Sequence, residues 1–464
     1  MKRTLFLHKS MKQSFRKENV IGCLVFFLIV SCTSSQHVDP VDFVNPYLGN
    51  ISHLLVPTYP TVHLPNSMLR VYPERSDYTD DLMNGLPVAV TSHRGSSAFN
   101  LSSFQGSEPE LKPVISYSYD REKITPYDYF VYLDEQETSV SRQSGIYELT
   151  FGRTDPIYLI LNTRKGELQW DGKAFSGYQE LQNNTRIFVY MEPDLQPREV
   201  NNKAASGRDA HIILSYPSNT KQLRLRYGIS FIDTTQAKKN LYRDISGFDP
   251  AAVAAKGRQK WNETLGKIKV DGGSYNDKVV FYTSLYRTYE RPVCISEDGR
   301  YFSAFDGKIH NDSGMPFYTD DWIWDTYRAT HPLRTIVETE MESDIINSFL
   351  RMSEQMPDFW WPTFPEITGD SRRMNSNHGI ATVIDAYRKG LQGIDLARIY
   401  PAVRNAIMEK TLAPWSGKPA GELDRFYHEK GYIPALRDGE EETIPEVHGF
   451  ERRQPVAVTL GTSY

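Results

Sequence analysis

Near residue 236 the hydrophobic period of the chain changes, and that change splits it into two folding problems. Residues ~40–235 consist of short β-rich runs. Tyr147-Glu148-Leu149-Thr150-Phe151 alternates with period two, as does Gln222-Leu223-Arg224-Leu225-Arg226-Tyr227. Tyr127–Leu133, Ile157–Leu161, Ile187–Tyr190 and His211–Tyr216 are further runs set between Gly, Pro, Asn and Asp clusters. Many short strands separated by turn residues predict a β-sandwich. From 236 the pattern turns helical, over Gln236–Tyr242 and Asp249–Ile268, with Pro250 placed near a helix start. Further helices are expected over 275–290, 321–328, 340–356, 376–390 and 395–410, so residues 249–464 read as all-α.

The richest stretch for chemistry runs from Tyr318 to Pro332. It holds three carboxylates (Asp320, Asp321, Asp325), two indoles (Trp322, Trp324) and the guanidinium of Arg328. On a helix Asp321, Asp325 and Arg328 fall at i, i+4 and i+7 and share one face. Two acids one turn apart repel by roughly 0.2–0.5 kcal/mol when exposed, so stability alone explains them poorly. Carboxylates accept from hydroxyls, indoles stack on C–H faces and Arg donates in a fixed plane, which is what a sugar cleft needs. The other reading is a capped helix with core tryptophans and solvated acids.

This stretch resembles the Ser-Leu-Trp-Asp-Thr-Phe-Arg-Ala-x-His-Pro-Leu segment of glycoside hydrolase family 92, the calcium-dependent exo-α-mannosidases. Phe281–Thr288 resembles the family's Phe-Tyr-Thr-Ala-Leu-Tyr-His-Thr helix, and Asp298–Tyr301 with Phe305–Lys308 resembles the loop after it. His378–Tyr387, continued by Lys389-Gly390, resembles His-Ala-Val-x-Val-Ile-Ala-Asp-Ala-Tyr. Gly431-Tyr432-Ile433-Pro434 and Thr459-Leu460 also fit, so order and spacing hold over ~270–464. The N-terminal half matches loosely, through Val44-Asn45-Pro46-Tyr47-Leu48-Gly49. The resemblance implies a multidomain β + α fold, with an N-terminal β-sandwich (33–235), a helical linker (236–270) and part of an (α/α)6 toroid or barrel (271–464).

It also implies removal of terminal α-linked mannose from glycans with inversion, and calcium as cofactor. Of the sugar-holding residues, Trp324, Asp325 and Arg328 match the family's strip. Trp360-Trp361-Pro362 resembles the approach to the next cleft loop, Thr368-Gly369-Asp370 stands where the family has Gly-Asn-Glu-Thr, and His378 matches an aligned histidine. His53, Pro57 and His63 are candidates for a cleft rim supplied by the N-terminal half. Arg372 and Arg373 lack a family counterpart and suit either a charged sugar or the surface. At Thr459-Leu460-Gly461, Gly461 stands where the family's general acid belongs, and the family's base aspartates and several calcium ligands lie further along. Catalytic and metal residues are therefore unassigned, and the chain is expected to be a C-terminally truncated, divergent member. Glu441, Glu442 or Glu446 offers a substitute acid, or a solvated acidic loop. A glycan-binding protein without hydrolytic activity is the alternative.

Basic residues through Lys17, then the apolar run Val20–Val30, form a segment too short to span a membrane as a mature helix. It ends Ile29-Val30-Ser31-Cys32, which resembles a bacterial lipobox with Cys32 as the lipidated residue. Residues 1–32 then form a lipoprotein signal peptide, and the protein is tethered to the cell envelope. Only Cys294 of the three cysteines remains in the mature chain, so an intramolecular disulfide is impossible. A net charge of −5 argues against a nucleic-acid partner.

Overall fold

The computed structural model describes residues 38–49, 60–74, 81–91, 97–133, 138–143, 145–204, 209–374 and 377–431. The lipobox Cys32, the rim candidates His53 and Pro57, the acids Glu441, Glu442 and Glu446, and Gly461 lie outside them.

Two antiparallel sheets make the N-terminal half. The larger has nine strands, in the spatial order Gly166–Trp170, Phe175–Glu180, Arg186–Pro193, Gln222–Ser230, Ile146–Phe151, Thr138–Gln143, Asp128–Leu133, Ile115–Ile124, Leu82–Met83. The smaller has five, in the order Glu199–Ala204, Asp209–Tyr216, Ile157–Arg164, Ser97–Gln105, Leu86–Val90. Period-two alternation does what it predicts. Leu223, Leu225 and Tyr227 point into the core with Leu149 and Tyr147, and they meet Leu159 and Leu161 of the facing sheet.

Asp233 caps the helix Thr234–Asp244 by accepting from Gln236 N, as N-cap aspartates do. This helix lies directly on Gln222–Ser230. A Cβ on Gly228 would sit 2.3 Å from the Ala237 carbonyl oxygen, so only glycine permits the contact. Asp249 and Pro250 start the helix Pro250–Leu265, and a Ser274–Asp277 capping box starts Tyr275–Thr288. Thr330–Val337, Thr339–Gln355, His378–Arg388, Leu396–Glu409 and Glu422–Lys430 follow as part of a toroid. Among the described residues no helix is long and apolar enough to cross a membrane.

The halves are joined by backbone as well as side chains. Asn66 N donates to Tyr289 O at 2.7 Å, and Cys294 N donates to Asn66 O at 2.8 Å. Asn66 Nδ2 donates to Pro292 O. Trp261 is wholly buried and donates from Nε1 to His63 O at 2.8 Å. His63, expected at a cleft rim, is instead enclosed by Trp261 and Tyr286, and burial lowers its pKa to about 4.

Candidate functional site

At the seam, the segment after Tyr318–Thr319 sends its residues two ways. Asp320 has φ +61°, a left-handed conformation that Asp tolerates better than most residues. Its carboxylate is wholly buried, and Oδ2 accepts from Arg70 Nη2 at 2.6 Å and Arg291 Nε at 3.2 Å. Oδ1 has no hydrogen-bond partner among the described residues. Beside it, Glu290 lies 3.4 Å from Arg291, 3.5 Å from Arg287 and 3.8 Å from Arg70. Burial alone would raise the Glu290 pKa, but Arg291, Arg287 and Arg70 together bring it down to about 2. The Arg291 guanidinium also lies 3.6 Å over the Trp322 ring, a cation–π contact on the indole face. Trp322 is nearly parallel to Phe364, with centroids 6.3 Å apart.

Asp321 also turns inward. Its amide donates to Pro365 O at 2.9 Å, so it pairs with the Pro365–Glu366 strand and does not enter a helix. Its Oδ1 accepts from Thr326 Oγ1, and its Oδ2 lies 3.0 Å from His331 Nε2. His331 Nδ1 lies 2.9 Å from Glu342 Oε1. Burial would lower the His331 pKa, but Glu342 and Asp321 raise it to about 9. Burial would likewise raise Asp321, but the His331 charge holds it below the ordinary carboxylate value. The result is a buried Asp–imidazolium–Glu row.

The helix expected over 321–328 is therefore a single turn, Ile323–Thr326. Asp321, Asp325 and Arg328 do not share a face: Asp321 is buried, whereas Asp325 and Arg328 are exposed. Trp324 is 45% exposed. The Asp325 carboxyl is raised by local loss of water and then by the Asp321 charge, with Arg291 opposing. That places Asp325 within electrostatic reach of the Arg291–Trp322 stack. Arg328 Nε donates to Tyr327 Oη at 2.9 Å, and Tyr327 stacks on His378 at 4.3 Å. Burial, then the Arg328 charge, lowers His378 to about 4, so its imidazole is neutral near pH 7.

The other expected contacts sit deeper. Trp361 is wholly buried against Phe349, and a Cβ on Gly379 would come within 2.8 Å of its Nε1. Trp360 is 5% exposed, with the Arg372 guanidinium 4.0 Å over its ring. Asp370 accepts from the backbone amides of Thr363, Phe364 and Arg372 at 2.8, 2.9 and 3.0 Å, so it builds the loop. Arg372 pairs with Asp358 at 3.0 Å and Arg373 with Glu366 at 3.3 Å. Glu366 is nearly buried, and burial raises its pKa against the pull of Arg373.

Of the residues the sequence singled out, Trp324, Asp325, Arg328 and His378 lie in this region; Arg70, Glu290, Arg291, His331, Glu342 and Glu366, which the structure adds to it, were not singled out. Only the acid–base run Glu290-Arg291 before Pro292 was a visible signal, since no local spacing links Arg70 to Asp320. Chemically the centre offers an aromatic–guanidinium wall and two carboxyls with raised pKa, Asp325 and Glu366. It does not fit calcium, which takes 6–8 oxygen ligands. Asp320 Oδ1 and Glu342 Oε2 are buried without a hydrogen-bond partner, but Asp320 already faces two guanidiniums and Glu342 the His331 imidazole, and the described residues contain no cluster of three or more His, Cys, Asp or Glu arranged for a metal.

Residues 43–230 match the family model for the glycosyl hydrolase family 92 N-terminal domain, and residues 236–464 match that for the family's catalytic domain. The structure is similar to the family GH92 inverting mannosidase BT2199 from Bacteroides thetaiotaomicron VPI-5482, with TM-score 0.76, 25% identity and 86% of this chain covered. It is also similar to the family GH92 α-mannosidase BT3965 from the same species, with TM-score 0.76, 20% identity and 86% of this chain covered. The latter is also known in complex with mannoimidazole, where 87% of this chain and 59% of that one are covered at 21% identity and TM-score 0.76. The chain spans 59% of the first of these proteins and 60% of the second. A comparison with curated protein sequences finds no match.

Proposed function

The chain belongs to glycosyl hydrolase family 92, and from that premise we propose that it holds the terminal α-linked mannose of a glycan beside the Arg291–Trp322 stack. The observation that carries this reading is the outward set next to a buried charged wall. Trp324 and Asp325 are open to solvent, while Arg291 and Trp322 behind them are held by Asp320, Glu290 and Phe364. Trp324 would stack on the C–H face of the sugar, and Asp325 and Arg328 would bind its hydroxyls. The pre-paired Arg70–Asp320–Arg291 group needs no reorganisation when a ligand arrives, which lowers the entropic cost of binding.

In the family's reaction, one acid protonates the leaving oxygen and a base activates water, roughly 6.5–9.5 Å apart in inverting enzymes. Asp325 and Glu366 are the described carboxyls at this centre held in the more proton-retaining state. Neither is assigned as acid or base here. Calcium, wherever a site for it exists, would supply Lewis-acid chemistry to the sugar.

The test is incubation of the protein with nitrophenyl α-mannoside and with an α-mannobiose, followed by NMR of the released sugar. Release of β-mannose as first product supports an inverting mannosidase; release of α-mannose contradicts it. A second reading, a glycan-binding member without hydrolysis, is favoured by one observation. Glu290, Asp320, Asp321 and Glu366, the buried carboxylates around this centre, are each engaged by a guanidinium or imidazole. Saturable mannoside binding with no sugar released would select it.

The lipid anchor at Cys32 is part of the same proposal and puts the protein in the bacterial cell envelope. Palmitate labelling in a bacterial host, lost in Cys32→Ser, is expected; an unlabelled wild type would contradict it.

A further inference from the structure

A second pocket lies within the N-terminal sandwich, and its lining shares no residue with the Arg291–Trp322 stack. It arises from a break in one ladder. The strand Ser97–Gln105 pairs with Ile157–Arg164 in regular register from Ile157↔Gln105 to Asn162↔Asn100, and there the pairing stops. The next residue on the Ser97–Gln105 strand, Phe99, has φ +53°. That conformation strains a bulky residue and persists only where the surroundings impose it. Here Gln179, from the facing sheet, imposes it. Its Oε1 accepts from Phe99 N at 2.8 Å, Thr163 Oγ1 at 3.2 Å and Arg164 N at 3.3 Å, and its Nε2 donates to Ser97 O at 3.4 Å. One amide side chain thus bridges the parted strands and holds them open.

The opening is a cavity of about 250 Å³ walled by Glu74, Asn100, Asn162, Thr163, Arg164 and Gln179. Ligand pockets for drug-sized molecules run roughly 300–1,000 Å³, so this one suits a single small ring. The walls are pre-set. Glu74 Oε2 accepts from Asn100 Nδ2 at 3.1 Å, and its Oε1 lies 3.6 Å from Arg164 Nη2. Asn162 donates from Nδ2 to Leu111 O at 2.9 Å, which leaves its amide oxygen as an acceptor. Lys112 and Arg164 are exposed at the mouth. Neutral amides and a hydroxyl stand beside the apolar Phe99 and Val114, with one carboxylate already shared with a guanidinium. This mixture of donors, acceptors and apolar surface matches the hydroxyls and C–H face of a sugar ring, and it matches a compact anion poorly.

We infer that the N-terminal domain carries a second saccharide site, taking one neutral pyranose unit in the pocket of Glu74, Asn162 and Arg164. Glycan held there would be a different residue, or a different molecule, from the mannose at the seam. None of the strip residues lines this pocket, so the two sites fail independently.

The experiment is ligand-observed NMR on the whole protein with the methyl glycosides of mannose, glucose, galactose and N-acetylglucosamine, and with inorganic phosphate. At least one glycoside is expected to bind, with Asn162→Ala weakening it tenfold or more and Arg164→Ala severalfold. A glycoside that also binds at the seam is expected to keep, in Trp324→Ala and Asp325→Asn, a binding component that Asn162→Ala removes. Should Asn162→Ala not fold, the exposed Arg164→Ala decides alone. The inference is overturned if none of the glycosides binds, if phosphate binds in their place, or if binding is lost only in the Trp324 and Asp325 variants.

Discussion

Asp320 and Asp321 are separated from Trp324, Asp325 and Arg328 by only two residues, yet the two groups occupy different media. The first pair is wholly buried and bonded to Arg70, Arg291 and His331. The second group lies at the surface on and beyond a single helical turn. A buried ion pair contributes little net stability but is costly to break, because the surviving partner is left charged without water. An exposed polar group costs almost nothing to change. The inward group therefore sets geometry, and the outward group faces solvent, where a ligand would arrive.

The largest effect should come from breaking the inward side. Asp320→Ala leaves Arg70 and Arg291 facing each other in the seam, and a loss of roughly 3–5 kcal/mol is expected in denaturant unfolding. A loss below about 1 kcal/mol, the level of an exposed pair, would mean that water reaches the cluster and that the two groups are not so different. Gly379→Ala is expected to cost about 1–3 kcal/mol, because the new Cβ meets the indole of Trp361, and overpacking forces such a ring off its rotamer. An unchanged unfolding midpoint would show that Trp361 has room to move and can reach a ligand.

A smaller effect, and a signed one, is expected from the Asp321–His331–Glu342 row. The His331 pKa is raised from 6.5 to about 9, so its contribution is fully present below pH 6.5 and disappears as pH climbs through 9. Asp321 is lowered from 3.8, so its contribution is present above that pH and is lost as pH falls further. The melting temperature should decline from pH 6.5 to 9, and His331→Gln should flatten that slope whatever it does to the absolute value. An equal slope in the variant would remove the imidazolium from the account. The smallest effect is expected from calcium. Chelation should leave the melting temperature unchanged, since the described buried carboxylates Asp320, Asp321 and Glu366 are engaged by cations of the protein itself. A rise on adding calcium would place a site among residues outside those described.

The sandwich was legible because period-two runs such as Gln222–Tyr227 and Tyr147–Phe151 map directly onto faces of a sheet. The helices from Tyr275 onward were legible from their apolar spacing. The strip was only partly so. Residue types around Trp324 and Asp325 pointed to hydroxyl recognition, but the assumption of one long helix put Asp321 on the wrong side. Its amide is taken by Pro365, a tertiary partner that helical spacing cannot reveal. Asp370 was singled out by its place opposite the family's Gly-Asn-Glu-Thr, and its carboxylate accepts from three amides of its own loop. Arg70 was invisible because its contact with Asp320 spans the two halves of the chain. The Phe99 break was invisible for a different reason: nothing in the local sequence marks a bulky residue forced to positive φ by a side chain from another sheet.

The most direct test sets Asp325→Asn against the wild type in a calorimetric titration with mannoimidazole, alongside a thermal melt of each. An amide fills the space of the carboxylate but cannot accept hydroxyl bonds at both positions. The account predicts an unchanged melting temperature and a tenfold or greater loss of affinity, about 1.4 kcal/mol. A lower melting temperature with undiminished affinity would contradict it, and would make Asp325 one more structural acid like Asp321.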